Sequence, residues 1–307
     1  MKAFVAALIL GAAVPAAQAQ EKGVLVLTAL PATYGITSAI AEGTAIRVEN
    51  IPREGRPMSA LGRYLERPGE DVSALMRSAD AVVTIGKLWH DDPLFAAVRA
   101  QNIRVVNIDA TEPYSRTLPG VALIREPGGA APWSDSGASE PASAAPSIYF
   151  WLSPSNGARV AEIVAHDLAL LSPQDADRVM QNLASYRRKL FAIKRSYEEK
   201  LAALENVTVF ALTPDFAYLT SDVGLFVDGY FVKQDIDWTA ADLAAFRKYL
   251  SDRKLRVVLH KWEPSEPIRK AVQEAGAQLV VLRTAETGVY EAELESNLSA
   301  LFTALSH

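Results

Sequence analysis

Apolar positions along the chain follow two different rhythms. Short β-branched runs at residues 24–30, 45–49, 81–85, 103–108 and 148–151 alternate with helix-compatible segments near 34–41, 69–78 and 93–101. A second series repeats the scheme, with runs at 207–212, 225–232, 255–260 and 278–282 and helical stretches near 240–252, 267–275 and 292–305. Strands separated by helices predict parallel βα units. Each half therefore reads as a small α/β lobe, one over residues 20–171 and the other over 206–307.

Between the lobes the period changes. Met180, Leu183, Tyr186, Leu190, Ile193, Tyr197, Leu201 and Leu204 recur every three or four residues, which predicts one continuous amphipathic helix over 172–205. Ser172 and Pro173 suit its first turn, and Asp175 and Asp177 suit the positive end of its dipole. At 1.5 Å per residue such a helix runs roughly 45–50 Å, long enough to flank both lobes and limit how far they separate. One segment, 127–146, consists mainly of Gly, Ala, Ser and Pro and reads as a mobile surface loop. Trp133 inside it needs either a packing site on the nearest lobe or a ligand to cover it.

Composition narrows the functional classes. The 307 residues carry 31 Lys and Arg against 36 Asp and Glu, a formal charge of −5, and no basic stripe of the kind a nucleic-acid binder shows. The absence of Cys excludes disulfides, thiolate metal sites and thiol catalysis. Lys2, an apolar run over 3–14 and the small triplet Ala17, Gln18, Ala19 read as a secretory signal peptide over 1–19. The run is shorter than the ~20 residues a membrane helix needs, so the mature chain is expected free in the periplasm. There is no nucleophile elbow, no phosphate-binding glycine loop and no His-Glu-x-x-His, so an enzyme is not expected and no cofactor is called for.

The segment Tyr149-Phe150-Trp151-Leu152-Ser153-Pro154, with Asn156 and Ala161-Glu162-Ile163-Val164-Ala165, resembles the His-x-Trp-Leu-Asp-Pro stretch of the periplasmic zinc- and manganese-binding proteins of ABC transporters. The resemblance continues through Leu171-Ser172-Pro173, Asn182-Leu183-Ala184-Ser185-Tyr186, Ala79-Asp80-Ala81-Val82-Val83 with Gly86, and Phe216-Ala217-Tyr218-Leu219 with Gly224-Leu225, in the family's order. It implies two parallel-sheet lobes joined by one backbone helix. It also implies a solute held between the lobes and delivered to an ABC permease in the inner membrane.

The family's metal ligands are three His and one carboxylate, and the resemblance aligns none of them with a ligand here. Gly62 or Arg63 stands for the first His, Tyr149 for the second, Thr213 for the third and Arg283 for the carboxylate. A guanidinium has no lone pair for a cation. The chain is in this respect similar to a small subset of the family that serves ferrisiderophore systems, pyoverdine handling among them, beside a metal-binding sister protein. The expected ligand is then a metal chelate such as a ferric siderophore, met by Arg63, Tyr149, Thr213, Asp215 and Arg283, with Tyr34 and Trp133 further out.

Two rivals stay open. A relocated metal site could use His90, Asp91 and His260, which lie at strand ends where α/β lobes place ligand groups, although Asp91 or Asp92 also suits a cap for the helix from Pro93. Alternatively the chain is an accessory that docks to a metal-binding sister or to the transporter. Tyr149 and Trp151 share a strand face by alternation, so Tyr149 points into the cleft or down with Trp151; the cleft is favoured. Asp235 and Asp237 read as a cap for the helix from Ala240.

Overall fold

The computed structural model describes residues 23–115, 117–133 and 145–306. The signal peptide and most of the Gly/Ala/Ser/Pro segment lie outside these residues. The first lobe runs β1 (Leu25–Thr28), α1 (Pro31–Ala41), β2 (Arg47–Asn50), α2 (Met58–Glu66), α3 (Glu70–Ser78), β3 (Ala81–Thr84), α4 (Leu94–Gln101) and β4 (Val106–Asp109). The second runs β5 (Thr208–Ala211), α7 (Ala217–Asp222), β6 (Phe226–Tyr230), α8 (Ala240–Arg253), β7 (Val257–His260), α9 (Glu266–Glu274), β8 (Gln278–Val281) and α10 (Tyr290–Leu305). Between them stand α5 (Pro154–Leu171) and α6 (Ala176–Ala202). The expected α/β architecture, two parallel-sheet lobes and a long joining helix, is what the chain forms.

Both sheets are parallel throughout and share one topology, β2-β1-β3-β4 and β6-β5-β7-β8. The central strands β1, β3 and β7 are buried along their whole length, as runs of Leu, Val and Ala between helical layers require. In each sheet the chain reverses direction of winding beside the first strand, which leaves the crevice for a ligand at the carboxyl ends. The helix over 172–205 is shorter than its pattern suggests. Pro173–Asp175 form a 3-10 turn, with Ser172 Oγ donating to Asp175 Oδ2 at 2.8 Å, and α6 begins at Ala176.

The buried face of α6 is Val179, Leu183, Tyr186, Leu190, Ile193, Tyr197 and Leu201. Met180 is half-exposed, because Val179 continues the stripe one turn before Leu183 and places Met180 beside it. The expected strand at 148–151 is a 3-10 turn, Phe150–Leu152, leading into α5. Ser153 caps that helix by accepting from the Asn156 N–H at 3.0 Å, and Pro154 opens its first turn. Helix-starting chemistry thus outweighs the local β propensity of Ile148 and the aromatic residues. One continuous apolar core runs from the first sheet through α1, α5, α6 and α10 into the second lobe. A smaller aromatic cluster lies on the outer side of the second sheet.

Candidate functional site

A cavity of about 750 Å³ opens between the lobes at the carboxyl ends of the strands. The first lobe supplies Leu30–Ala32 after β1, Glu54–Ser59 after β2, Trp89 after β3, and Ile148, Tyr149 and Trp151. The second supplies Lys261 and Trp262 after β7 and Thr284–Glu286 after β8. Parallel strands all present their carboxyl ends to one side, so loops far apart in sequence meet there.

The walls are aromatic. Tyr149 sits edge-on to Trp151 with ring centroids 5.4 Å apart, and Trp151 Nε1 donates to the Thr284 carbonyl across the lobes at 2.9 Å. Burial, reinforced by the nearby Asp215, Glu286 and Glu126 carboxylates, pushes the Tyr149 phenol up to about 12, so it stays protonated at neutral pH. Lys261 Nζ lies 2.7 Å from Asp215 Oδ2, 5.1 Å from the Trp262 ring centroid and 5.9 Å from that of Tyr149. Asp215 is held at the end of β5, where its N–H donates to Thr213 Oγ1 at 3.4 Å. On the opposite wall the Arg56 guanidinium covers the Tyr64 ring at 4.9 Å. Glu54 and Glu286 bring carboxylates to the same cavity.

Of the residues singled out from sequence, Tyr149 lines the cavity and Asp215 reaches it through Lys261. Thr213 is buried behind Asp215. Arg63 is exposed on α2 and does not line the cavity; Arg283 is exposed too, its backbone clamped by Asn297, and the cavity begins one residue later at Thr284. The cationic groups of the cleft are instead Arg56 and Lys261. Tyr34 packs over Gly288, where φ is +77° and a Cβ would come within 3.0 Å of the ring. Trp133 turns away from the cleft into the aromatic cluster of the second lobe, 4.9 Å from Phe231 and 5.8 Å from Phe246 by ring centroid. That segment crosses to the second lobe, as the Val232 N–H donating to the Gly129 carbonyl at 2.9 Å shows.

His90 and Asp91 are exposed, whereas His260 is 3% exposed, with Nδ1 accepting the Lys261 N–H at 2.9 Å and its ring 4.5 Å from Trp262. Burial holds the His260 imidazole down at about 4. The three do not converge, and among the described residues no group of three or more His, Asp and Glu is arranged to hold a metal ion. Asp92 performs the capping duty, accepting from Leu94 N–H at 3.0 Å and Ile85 N–H at 2.9 Å. Asp235 accepts from the Ser265 N–H at 2.5 Å, while Thr239 and Asp242 cap α8 reciprocally.

Sequence reasoning passed over Arg56, Trp89, Lys261 and Trp262. Their signal was position alone: each follows a strand of a βα unit by a few residues.

Comparison with known proteins agrees with this fold. The family model of zinc-uptake complex component A, periplasmic (ZnuA), matches residues 26–304. A zinc-binding lipoprotein, AdcA, of Streptococcus pneumoniae serotype 4 (strain ATCC BAA-334 / TIGR4) is 26% identical over 166 residues, which is 50% of this chain and 33% of that protein. The chain thus spans about a third of the length of its curated relatives. An FpvC mutant from Pseudomonas aeruginosa superposes with TM-score 0.73 at 21% identity, over 92% of this chain and 99% of that one. A zinc-bound ZnuA deletion mutant gives 0.69 at 20%, over 93% and 99%, and likenesses at these identities show the fold. The match over nearly the whole described chain means that this protein belongs to the family of the periplasmic zinc-uptake complex component A, ZnuA.

Proposed function

We propose that the chain is the solute-binding component of an ABC importer, holding a metal chelate such as a ferric siderophore between its lobes and passing it to a membrane permease. The observation that carries this reading is the cleft itself. Its roughly 750 Å³ falls in the range of small-molecule sites, and its walls present rings and two cations in place of converging imidazoles and carboxylates. Aromatic faces and charge-assisted donors suit catecholate or hydroxamate oxygens wrapped round a metal. Ligand contacts from both lobes would favour the closed form, the state a permease reads.

A second reading, direct zinc or manganese binding, is favoured by the family and by the zinc-binding relatives. Titration in metal-free buffer separates the two. Quenching of Trp fluorescence by ferric tris-catecholate or ferric trihydroxamate, with no calorimetric response to zinc or manganese chloride, is the expected result. Nanomolar binding of either bare ion would overturn the chelate reading in favour of the second.

A further inference from the structure

We infer that Lys261 is the specificity-determining residue of the cleft: its ammonium is a resident cation that pairs with the buried carboxylate of Asp215 behind it and so turns the cleft against bare divalent ions. The inference deepens the proposed function and rests on the same cavity. It starts from Asp215, whose side chain is 8% exposed and whose Oδ2 lies 2.7 Å from Lys261 Nζ. Asp215 does not itself line the cavity; it stands behind Lys261, and the ammonium pairs with it.

The lysine is held there by its neighbours. The preceding residue, His260, is turned into the core, with Nδ1 accepting the Lys261 N–H at 2.9 Å, which orients the backbone where β7 ends. On the ligand side the ammonium stands 5.1 Å from the Trp262 ring centroid and 5.9 Å from that of Tyr149, two rings that line the cavity. A lysine side chain 30% exposed, paired on one side and flanked by π faces, presents its ammonium to whatever enters. A bare dication approaching Asp215 meets that charge first and at close range. An anionic or catecholate-like oxygen meets a donor. The carboxylates that line the cavity, Glu54 and Glu286, are exposed, and Arg56 stands at the same wall as Glu54.

The test uses the mature full-length protein, zinc chloride and manganese chloride as bare-ion probes, ferric tris-catecholate and ferric trihydroxamate as chelate probes, and calorimetry as the readout. Lys261→Glu, which sets a second carboxylate beside Asp215, should bind zinc about tenfold or more tightly than the parent protein. Lys261→Arg, which keeps the charge, should exclude zinc as the parent does, and circular dichroism with thermal melting checks that each variant is folded. Lys261→Met should weaken chelate binding about tenfold or more. Zinc affinity unchanged in Lys261→Glu, or tight zinc binding by the parent protein, overturns the inference. The zinc arm stands without the chelate arm: silence of the parent protein towards every chelate defeats the proposed function, while a zinc gain confined to Lys261→Glu still upholds the role of Lys261. Should Lys261→Glu fail to fold, Lys261→Gln takes its place, and unchanged zinc affinity there counts against the inference equally.

Discussion

At Asp222 a single carboxylate joins three elements. It ends α7, accepts from the Ser153 hydroxyl at 2.7 Å and the Ser155 N–H at 2.9 Å at the start of α5, and pairs with Lys194 Nζ of α6 at 2.9 Å. Burial alone would raise this acid, but the hydrogen bonds from Lys194, Ser155 and Ser153 outweigh it and hold the carboxyl below its usual range. A depressed carboxyl contributes stability that is present above the unfolded value near 3.8 and is lost as pH falls through the folded one. Asp222→Ala should therefore cost about 2–4 kcal/mol at pH 7 in urea unfolding, and progressively less as pH falls through the folded value, where the parent protein loses the same ion pair. His260 gives a pH dependence of the same sign at higher pH. An imidazole held down at about 4 by burial resists protonation that the unfolded chain accepts below about 6.5, so the fold loses stability as pH falls from 6.5 to 4, by up to about 3 kcal/mol. His260→Asn, which keeps an acceptor for the Lys261 N–H, should flatten that slope; equal slopes would show the histidine is not its source. Neither role was legible beforehand. Serine, aspartate and lysine spaced over 69 and 28 residues form no local pattern, and a histidine at a strand end reads equally as ligand or core.

The elements were easier to anticipate where one period dominates. The stripe along α6 announces a helix, and its 27 residues run about 40 Å beside α5. Failure came where two signals competed, at 148–151, because the strong helix start at Ser153 and Pro154 draws the preceding aromatic residues into a 3-10 turn. Tyr290, the first residue of α10, lies against Gly157 of α5. A Cβ there would lie 2.2 Å from the Tyr290 hydroxyl, which is itself bonded to the Trp151 carbonyl. Gly157→Ala should push the two helices apart and destabilise the protein by about 1–3 kcal/mol or more, measured by denaturant midpoint. Trp133 makes the converse case. Its ring stacks on Phe210 at 6.2 Å and meets Phe231 edge-on, so Trp133→Ala should lower the stability of the second lobe by about 2–3 kcal/mol and leave chelate affinity unchanged. A loss of affinity without a loss of stability would return Trp133 to the list of ligand groups.

In the whole molecule the lobes are joined by more than the long helix. The core is continuous through α1, α5, α6 and α10, and the Trp151 indole to Thr284 and the Ile124 N–H to the Tyr218 hydroxyl, both 2.9 Å, cross between lobes. Such a body should unfold in one calorimetric transition, and ligand should change its radius of gyration by about an ångström or less; two transitions, or wide closure by solution scattering, would contradict the shared core. The class of the fold, the two-lobe division and the family were open to reading from the chain alone, because periodicity and motif order are properties of neighbours in sequence. That no group of three or more His, Asp and Glu among the described residues is arranged to hold a metal ion accords with the expectation drawn from the resemblance. Which cations face the cleft was not legible: Arg63 and Arg283 were expected there, yet Arg56 and Lys261 line the cavity. The cleft is assembled from the carboxyl ends of strands in two different sheets, and only packing decides which side chains of those loops face each other.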